Sequence, residues 1–220
     1  MKPTLLMTAL LSASTAFAEL PPLQANLGVF TQVFSARGYD LVDTDDHLHS
    51  FRLAAGTTFQ LRRWQLDVEG AFSAGGSDAI AHQQVPSSLA LTGLEVAGTA
   101  RFMALSWLHP YVRVGVGYDW ARLELFNETR LTQTVGNIAG HGGVGVQLAA
   151  RLTRQESRAV HLLLDVGAGA VLRPAYAFTA LGPAPVVGAQ SDPIGGRGTV
   201  NLGTLPLSGI TWRILVGLRF

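Results

Sequence analysis

The chain ends with the sequence LSGITWRILVGLRF, residues 207 to 220. Alternate residues of this stretch are apolar and bulky: Ile210, Trp212, Ile214, Val216, Leu218 and Phe220. The residues between them are mostly small, polar or charged, and they include Gly209, Thr211, Arg213, Gly217 and Arg219. Because successive side chains of a strand point to opposite faces, this alternation predicts a β-strand with one apolar face and one largely polar face.

Seven earlier segments repeat this two-residue period. They span residues 27–36, 51–61, 64–73, 92–104, 111–122, 138–151 and 159–172. Each is close to the roughly 9–11 residues that a tilted strand needs to cross a bilayer. The facing of the first segment stays open, because both of its faces hold apolar residues. The segments together predict an all-β fold, an eight-stranded antiparallel up-and-down transmembrane β-barrel.

The connections between these segments alternate in length. Those spanning 62–63, 105–110 and 152–158 are short, whereas those spanning 37–50, 74–91, 123–137 and 173–206 are long. Tight periplasmic turns and long outer loops are typical of outer-membrane barrels. A two-residue turn at Arg62 and Arg63 would pair Leu61 with Trp64 and continue apolar against apolar along both strands.

The longest connection, 173–206, is rich in glycine and carries five prolines: Pro174, Pro183, Pro185, Pro193 and Pro206. Loops of this length are usually functional or disordered. Three arrangements are open: a flexible loop, a segment folded over the barrel mouth, or a further hairpin that would make ten strands.

The beginning of the chain, MKPTLLMTALLSASTAFA, predicts a signal peptide over residues 1–18. Lys2 supplies the positive charge, 5–11 the apolar stretch, and Ala16-Phe17-Ala18 a cleavage site before Glu19. Residues 19–220 are then one outer-membrane domain, and the expected location is the cell outer membrane. Lys2 is the single lysine, so 15 arginines balance 15 acidic residues in that domain. This balance predicts no nucleic-acid partner, which would need a basic face.

The mature chain resembles the small eight-stranded outer-membrane barrels of the OmpX, OmpW and OmpA transmembrane-domain kind. The resemblance is carried by the strand and loop pattern and by the terminal strand ending at Phe220. It implies that this strand is an assembly signal for the barrel assembly machinery, and that outer-membrane lipid and lipopolysaccharide are partners. It also implies a structural or surface-interaction role without enzymatic activity and without a cofactor.

Three other functions stay open at this point. One is an OmpW-like conduit for small hydrophobic molecules, suggested by the apolar last loop. The second is a lipid-modifying enzyme of the outer membrane, although no nucleophile, base and acid stand together in the pattern. The third is a secreted soluble barrel of lipocalin type, with the valines and leucines turned inward. Which face these residues occupy separates the last alternative from the rest.

Charged residues lie on the predicted inner face. They are Arg52, Asp67, Glu69, Glu95, Arg101, Arg113, Asp119, Asp165 and Arg213, with His141 and His161 in the same phase. An eight-stranded barrel is only wide enough for side chains to fill its interior, so buried charges must pair there. Strand positions predict one layer of Asp67 and Glu69 with Arg101 and Arg113. They predict a second, of Glu95 and Asp119 with Arg52 and Arg213, and a lumen closed by charged side chains.

Aromatic residues near the predicted strand ends indicate membrane girdles. They are Trp64, Trp107, Tyr111 and Phe220 toward the periplasm, and Phe72, Tyr118 and Trp120 toward the outside. Residues 43–49 of the first outer loop read DTDDHLH, a weak candidate for a divalent-cation site that a solvated polar loop explains equally well. We therefore predict no metal site, and the oligomeric state stays open.

Overall fold

A computed structural model describes residues 21–34, 47–81, 85–126, 130–153, 159–183 and 201–220. The predicted signal peptide, most of the first outer loop, including 43–46 of the cation candidate, and the middle of the last loop lie outside these ranges. Within them, no helix is long and apolar enough to cross a membrane.

Eight long antiparallel strands form a closed ring. They are β1 (Leu23–Phe34), β2 (His47–Leu61), β3 (Trp64–Ala81), β4 (Val85–Phe102), β5 (Leu108–Phe126), β6 (Arg130–Arg151), β7 (His161–Leu172) and β11 (Gly209–Arg219). Neighbours in sequence pair throughout, and β1 closes the ring on β11. The eight-stranded antiparallel barrel predicted from the alternation is confirmed.

The short connections lie together at one end of the barrel, which we call the turn end; the opposite end is the loop end. Leu61 pairs with Trp64 and Gln60 with Gln65, as the two-residue turn predicts. Arg62 adopts the left-handed backbone that such a tight turn requires, with φ of 55°.

Two of the long connections are mostly strand, which corrects the sequence prediction. β3 continues to Ala81 and β4 starts at Val85, while β5 continues to Phe126 and β6 starts at Arg130. Polar–apolar alternation weakens in these stretches because inward residues such as Leu89, Leu91 and Leu123 are apolar too. Ladder hydrogen bonds continue regardless of side-chain type, so the hairpins project beyond the apolar belt.

The last connection adds three short strands: β8 (Tyr176–Phe178), β9 (Gly182–Pro183) and β10 (Gly203–Leu205). β8 and β10 pair in a separate two-stranded sheet, and β9 attaches to the loop end of β6. The ten-stranded ring left open by the sequence is therefore not formed. The described parts of this connection pack over the barrel mouth.

The apolar side chains of the strands face away from the lumen. Along β5, Val112, Val114 and Val116 are more than half exposed, whereas the alternate residues Arg113 and Asp119 are buried. β1 also has a single phase: Leu27 and Val29 point outward, and polar residues such as Gln24, Asn26 and Gln32 point inward. An apolar exterior around a polar interior is the inverse of a lipocalin-type barrel.

Candidate functional site

Four charged side chains meet at the centre of the lumen. Arg52 lies 3.1 Å from Glu69 and 2.6 Å from Glu95, and Arg113 lies 2.7 Å from each of the same two carboxylates. All four are less than a tenth exposed. The two cations and two anions make the cluster neutral. Such pairing is needed because an unpaired charge would be costly in so narrow an interior.

Small neighbours make room for this central cluster. Glu69 pairs across the sheet with Gly56 and Ala97, and Glu95 with Ala71 and Gly117. Because these neighbours reach only a short way into the lumen, the long side chains have room to reach partners one or two strands away. His141 borders the cluster, with Nδ1 4.0 Å from Glu95. Beside it, a cavity of about 30 Å³ reaches the glycine-rich faces of β6 and β7.

A second layer lies nearer the turn end. Arg101 forms an ion pair with Asp67. Across the lumen, Asp165 lies 3.2 Å from Nε of Arg213 and accepts a hydrogen bond of 2.8 Å from the hydroxyl of Tyr111. Asp67 and Arg101 therefore share the predicted layer, but Glu69 and Arg113 belong to the central cluster above it.

Tyr111 is not a membrane-girdle residue, which corrects the sequence prediction. Its side chain is 4% exposed and points into the lumen, in the same phase as Arg113. A side chain at Gly145 or Gly167 would collide with its hydroxyl group, so these two glycines create the space for the ring. The expectation from aromatic position was wrong because the two-residue period of β5 decides the facing.

A third layer joins the wall to the last outer connection. Arg173 donates from Nε to Asp119 at 2.6 Å, and from one terminal nitrogen to Gln32 and to the carbonyl of Leu207, both at 2.8 Å. The predicted layer of Glu95 and Asp119 with Arg52 and Arg213 is therefore only half right: Glu95 and Arg52 pair, whereas Asp119 and Arg213 lie in other layers. The partner of Asp119 is Arg173, which follows β7.

Above this layer the lumen is filled by an apolar cap. Its buried members come from the loop end of the wall and from the last connection: Phe34, Leu48, Leu89, Leu91, Ala121, Leu123, Tyr176, Phe178, Leu181, Leu205 and Leu207. The Tyr176 and Phe178 rings stack 6.5 Å apart. Burial raises the pKa of the Tyr176 phenol, so this side chain stays neutral within the cap.

At the turn end, Arg219 is surrounded by amides instead of carboxylates. Its guanidinium donates to the side-chain oxygens of Gln147 at 2.8 Å, Gln65 at 3.2 Å and Gln24 at 3.4 Å. Below it opens a cup of about 790 Å³, lined among others by Thr58, His109, His161 and Arg219. His141 and His161 lie at different heights, as expected from their strands.

Six of the seven predicted girdle aromatics face outward. Trp64, Trp107, Tyr118 and Trp120 are all more than a third exposed, as are Phe72 and the terminal Phe220. Trp64 packs on Phe102 with ring centroids 5.3 Å apart, and Tyr118 meets Trp120 edge-on at 5.0 Å. They form two groups, one toward each end of the exposed apolar belt.

The cation candidate is only partly described. His47 and His49 stack on the outer face of β2, and Nδ1 of His49 lies 2.9 Å from the Thr31 hydroxyl. Among the described residues, no group of three or more histidine, cysteine, aspartate or glutamate side chains is arranged to hold a metal ion.

Sequence reasoning missed Arg173 and the glutamines of the lumen. Arg173 follows a strand in a loop that the two-residue period does not reach. Gln24, Gln32, Gln65 and Gln147 carry no charge and so drew no attention. Their positions in the alternation nevertheless predict inward side chains. A neutral amide buried in the lumen indicates a nearby charge or carbonyl group that needs a hydrogen-bond partner.

No protein-family model matches the chain, and no curated protein matches it either. Solved structures similar to it include Ail, the attachment invasion locus protein of Yersinia pestis, at 14% identity over 92% of this chain and 100% of that one, with a TM-score of 0.47. Neisserial surface protein A matches at 14% identity over 90% and 94%, with a TM-score of 0.42.

The N-terminal β-barrel domain of Pseudomonas aeruginosa OprF matches at 14% identity over 90% of this chain and 97% of that one, with a TM-score of 0.39. These are similarities of low identity, and the fold stands on the strand topology of the chain itself. By that topology, the protein is an eight-stranded antiparallel β-barrel with the architecture of the small outer-membrane barrels.

Proposed function

We propose that the protein is an integral outer-membrane β-barrel with a structural or surface-interaction role, non-enzymatic, and with a lumen closed to ions and solutes. The observation that carries this proposal is the stack of layers inside the ring. Ion-paired side chains occupy the lumen at three heights, and the apolar cap lies above them. A water path would have to break these pairs or pass through packed leucines.

The exterior supports insertion into a bilayer. Side chains such as Val96, Val114, Ile138 and Ile214 are more than half exposed around the ring. Soluble proteins rarely expose continuous apolar surface on this scale. Aromatic residues toward both ends of the belt suit the two membrane interfaces. We further propose that outer-membrane lipid and lipopolysaccharide contact this belt, and that the barrel assembly machinery engages the strand ending at Phe220.

The apolar cap favours a closed barrel over a conduit for small hydrophobic molecules. Its members pack on one another in the space that such a ligand would need, and Leu48, Leu207 and Tyr176 are completely buried. The upper surface, formed by the projecting hairpins and the last connection, is then the part of the protein that faces the exterior.

Two measurements on the full chain test this proposal. Membrane fractionation should recover the protein with outer membranes in a form that only detergent dissolves. Reconstitution into planar bilayers, with a known porin as positive control, should show no steady channel. Recovery as a monodisperse soluble protein without detergent would contradict the membrane assignment. A large, steady single-channel conductance would contradict the closed lumen.

A further inference from the structure

The cup at the turn end is built differently from the rest of the lumen. It has a volume of about 790 Å³, within the range of small-molecule sites. Its deep wall is polar and includes Thr58, Gln65, His109 and Arg219, while Met103, Leu105 and Phe220 are among the apolar residues that line it. Among the residues that the structure describes, no aspartate or glutamate side chain lines it.

Several hydrogen-bonding atoms at this end of the lumen are buried without a partner among the described residues. They are Nε of Arg219, Oγ1 of Thr58, Nδ1 of His109, Nδ1 of His161 and Nε2 of Gln147. Thr58, His109, Gln147 and Arg219 are each more than nine-tenths buried. Buried polar atoms normally have partners, and each exception calls for an explanation. Four of these residues, Thr58, His109, His161 and Arg219, line the cup, which points to a ligand that accepts hydrogen bonds.

Arg219 supplies a positive charge that its side-chain neighbours do not neutralise. Its three hydrogen-bond acceptors are neutral amide oxygens. Asp67, a carboxylate of the layer above, is paired with Arg101. By contrast, the central cluster is neutral, and Arg173 and Arg213 each contact an aspartate. A buried cation without an anion is costly, so a bound anion would stabilise this end of the barrel.

We propose that this cup binds a phosphate group, through Arg219 with the Thr58 hydroxyl and the imidazoles of His109 and His161. The guanidinium fork matches phosphate oxygens, and charge-assisted hydrogen bonds of this kind are the strong ones. The phosphate is either the free ion or the headgroup of a phospholipid. In the second case, the apolar residues of the cup would accommodate the apolar part of the lipid. The periplasmic location of the cup rests on the proposed membrane insertion. Phosphate binding by the folded barrel does not depend on that insertion.

Calorimetric titration of the folded barrel in detergent with sodium phosphate, at constant ionic strength set by chloride, tests the proposal. We expect saturable binding that Arg219→Gln weakens by at least about tenfold, since the charge-assisted bonds are lost. Arg62→Gln is the matched control, because Arg62 lies in the exposed turn between β2 and β3 at the same end but does not line the cup. Its affinity should stay within about twofold of the unmodified chain.

A measurement on the unmodified chain covers the case in which Arg219→Gln fails to fold. The Nε–H resonance of a ¹⁵N-labelled Arg219 side chain should shift on addition of phosphate and not of chloride. Absence of binding, equal binding by Arg219→Gln, or an unmoved resonance would each overturn the proposal. Binding only by a chain extended with Gly-Ser after Phe220 would also overturn it, because the terminal carboxylate would then be the partner of Arg219.

The same titration, repeated with a second compound, distinguishes the two sources of phosphate. Glycerol 3-phosphate reproduces a lipid headgroup without the acyl chains. Tighter binding of this ester than of inorganic phosphate supports the headgroup as the source, and the reverse order supports the free ion.

Discussion

Arg173 and Asp119 form a buried ion pair of 2.6 Å, although Arg173 follows β7 and Asp119 lies on β5, with β6 between them. The same guanidinium also donates to the carbonyl of Leu207, two residues before the last strand begins at Gly209. This single side chain therefore joins β5 to both ends of the last outer connection. It lies between the charged layers and the apolar cap, so it fastens the cap to the wall.

Replacing Arg173 by alanine should loosen the cap. The change leaves Asp119 buried without its cation, and removal of one partner of such a pair typically costs about 3–5 kcal/mol. Denaturant unfolding of the barrel in lipid vesicles measures this loss. Arg122→Ala is the control, because Arg122 is half exposed and its partner Glu124 keeps Arg130; we expect about 0–1 kcal/mol there. Equal losses in the two variants would contradict the fastening role.

Gly145 should not tolerate valine. A side chain there collides with the hydroxyl of Tyr111, which would have to leave Asp165. Overpacking of this kind typically costs about 1–3 kcal/mol, and the lost hydrogen bond adds to it. Gly142→Val is the matched control on the same strand, because Gly142 faces outward and a side chain there meets nothing within 4 Å. Unfolding free energies of the two variants should therefore differ clearly, and equal values would contradict the lumenal role of Tyr111.

An arginine in the middle of the outer belt should be costly only if the belt faces lipid. Val116 lies at the centre of the outward row of β5, between Val112 and Trp120. In a bilayer, Val116→Arg should destabilise the barrel by about 2–4 kcal/mol, the usual cost of arginine at the midplane. Leu105→Arg, in the exposed turn between β4 and β5, should cost about 0–1 kcal/mol. Refolding into vesicles at graded denaturant measures both; similar values would contradict a lipid-facing belt.

Loss of Phe220 should impair assembly and leave export unchanged. Its backbone N–H donates to the carbonyl of Leu23 at 2.9 Å, so it extends the ladder where the last strand closes the ring on the first. Deletion should lower the folded fraction in membranes, measured as the heat-modifiable band in unboiled gels. Phe126→Ala, an exposed aromatic at the loop end, is the control. Normal assembly rate and yield after deletion would contradict the proposal.

The sequence alone predicted the eight strands, the facing of seven of them and the register at the Arg62-Arg63 turn, and it left the facing of β1 open. These features follow from a local rule, because a strand must alternate its side chains and a barrel must separate its two faces. The same rule places Tyr111 in the lumen, in the same phase as Arg113. The prediction that Tyr111 is a girdle residue was wrong because it relied on an aromatic residue near a strand end instead of on the alternation. Strand length was underestimated because backbone ladders continue where the two faces no longer differ.

Only the tertiary structure decided which side chains meet. Inward charges at similar heights can pair in several ways, and the choice depends on strand stagger and on how far each long side chain crosses the ring. Glu69 and Glu95 share Arg52 and Arg113, while Asp119 is left to Arg173, a residue outside any alternating segment. The amides around Arg219, and the cup below them, likewise exist only once β11 closes on β1 and β7. Alternation is a property of each strand, whereas pairing is a property of the closed ring.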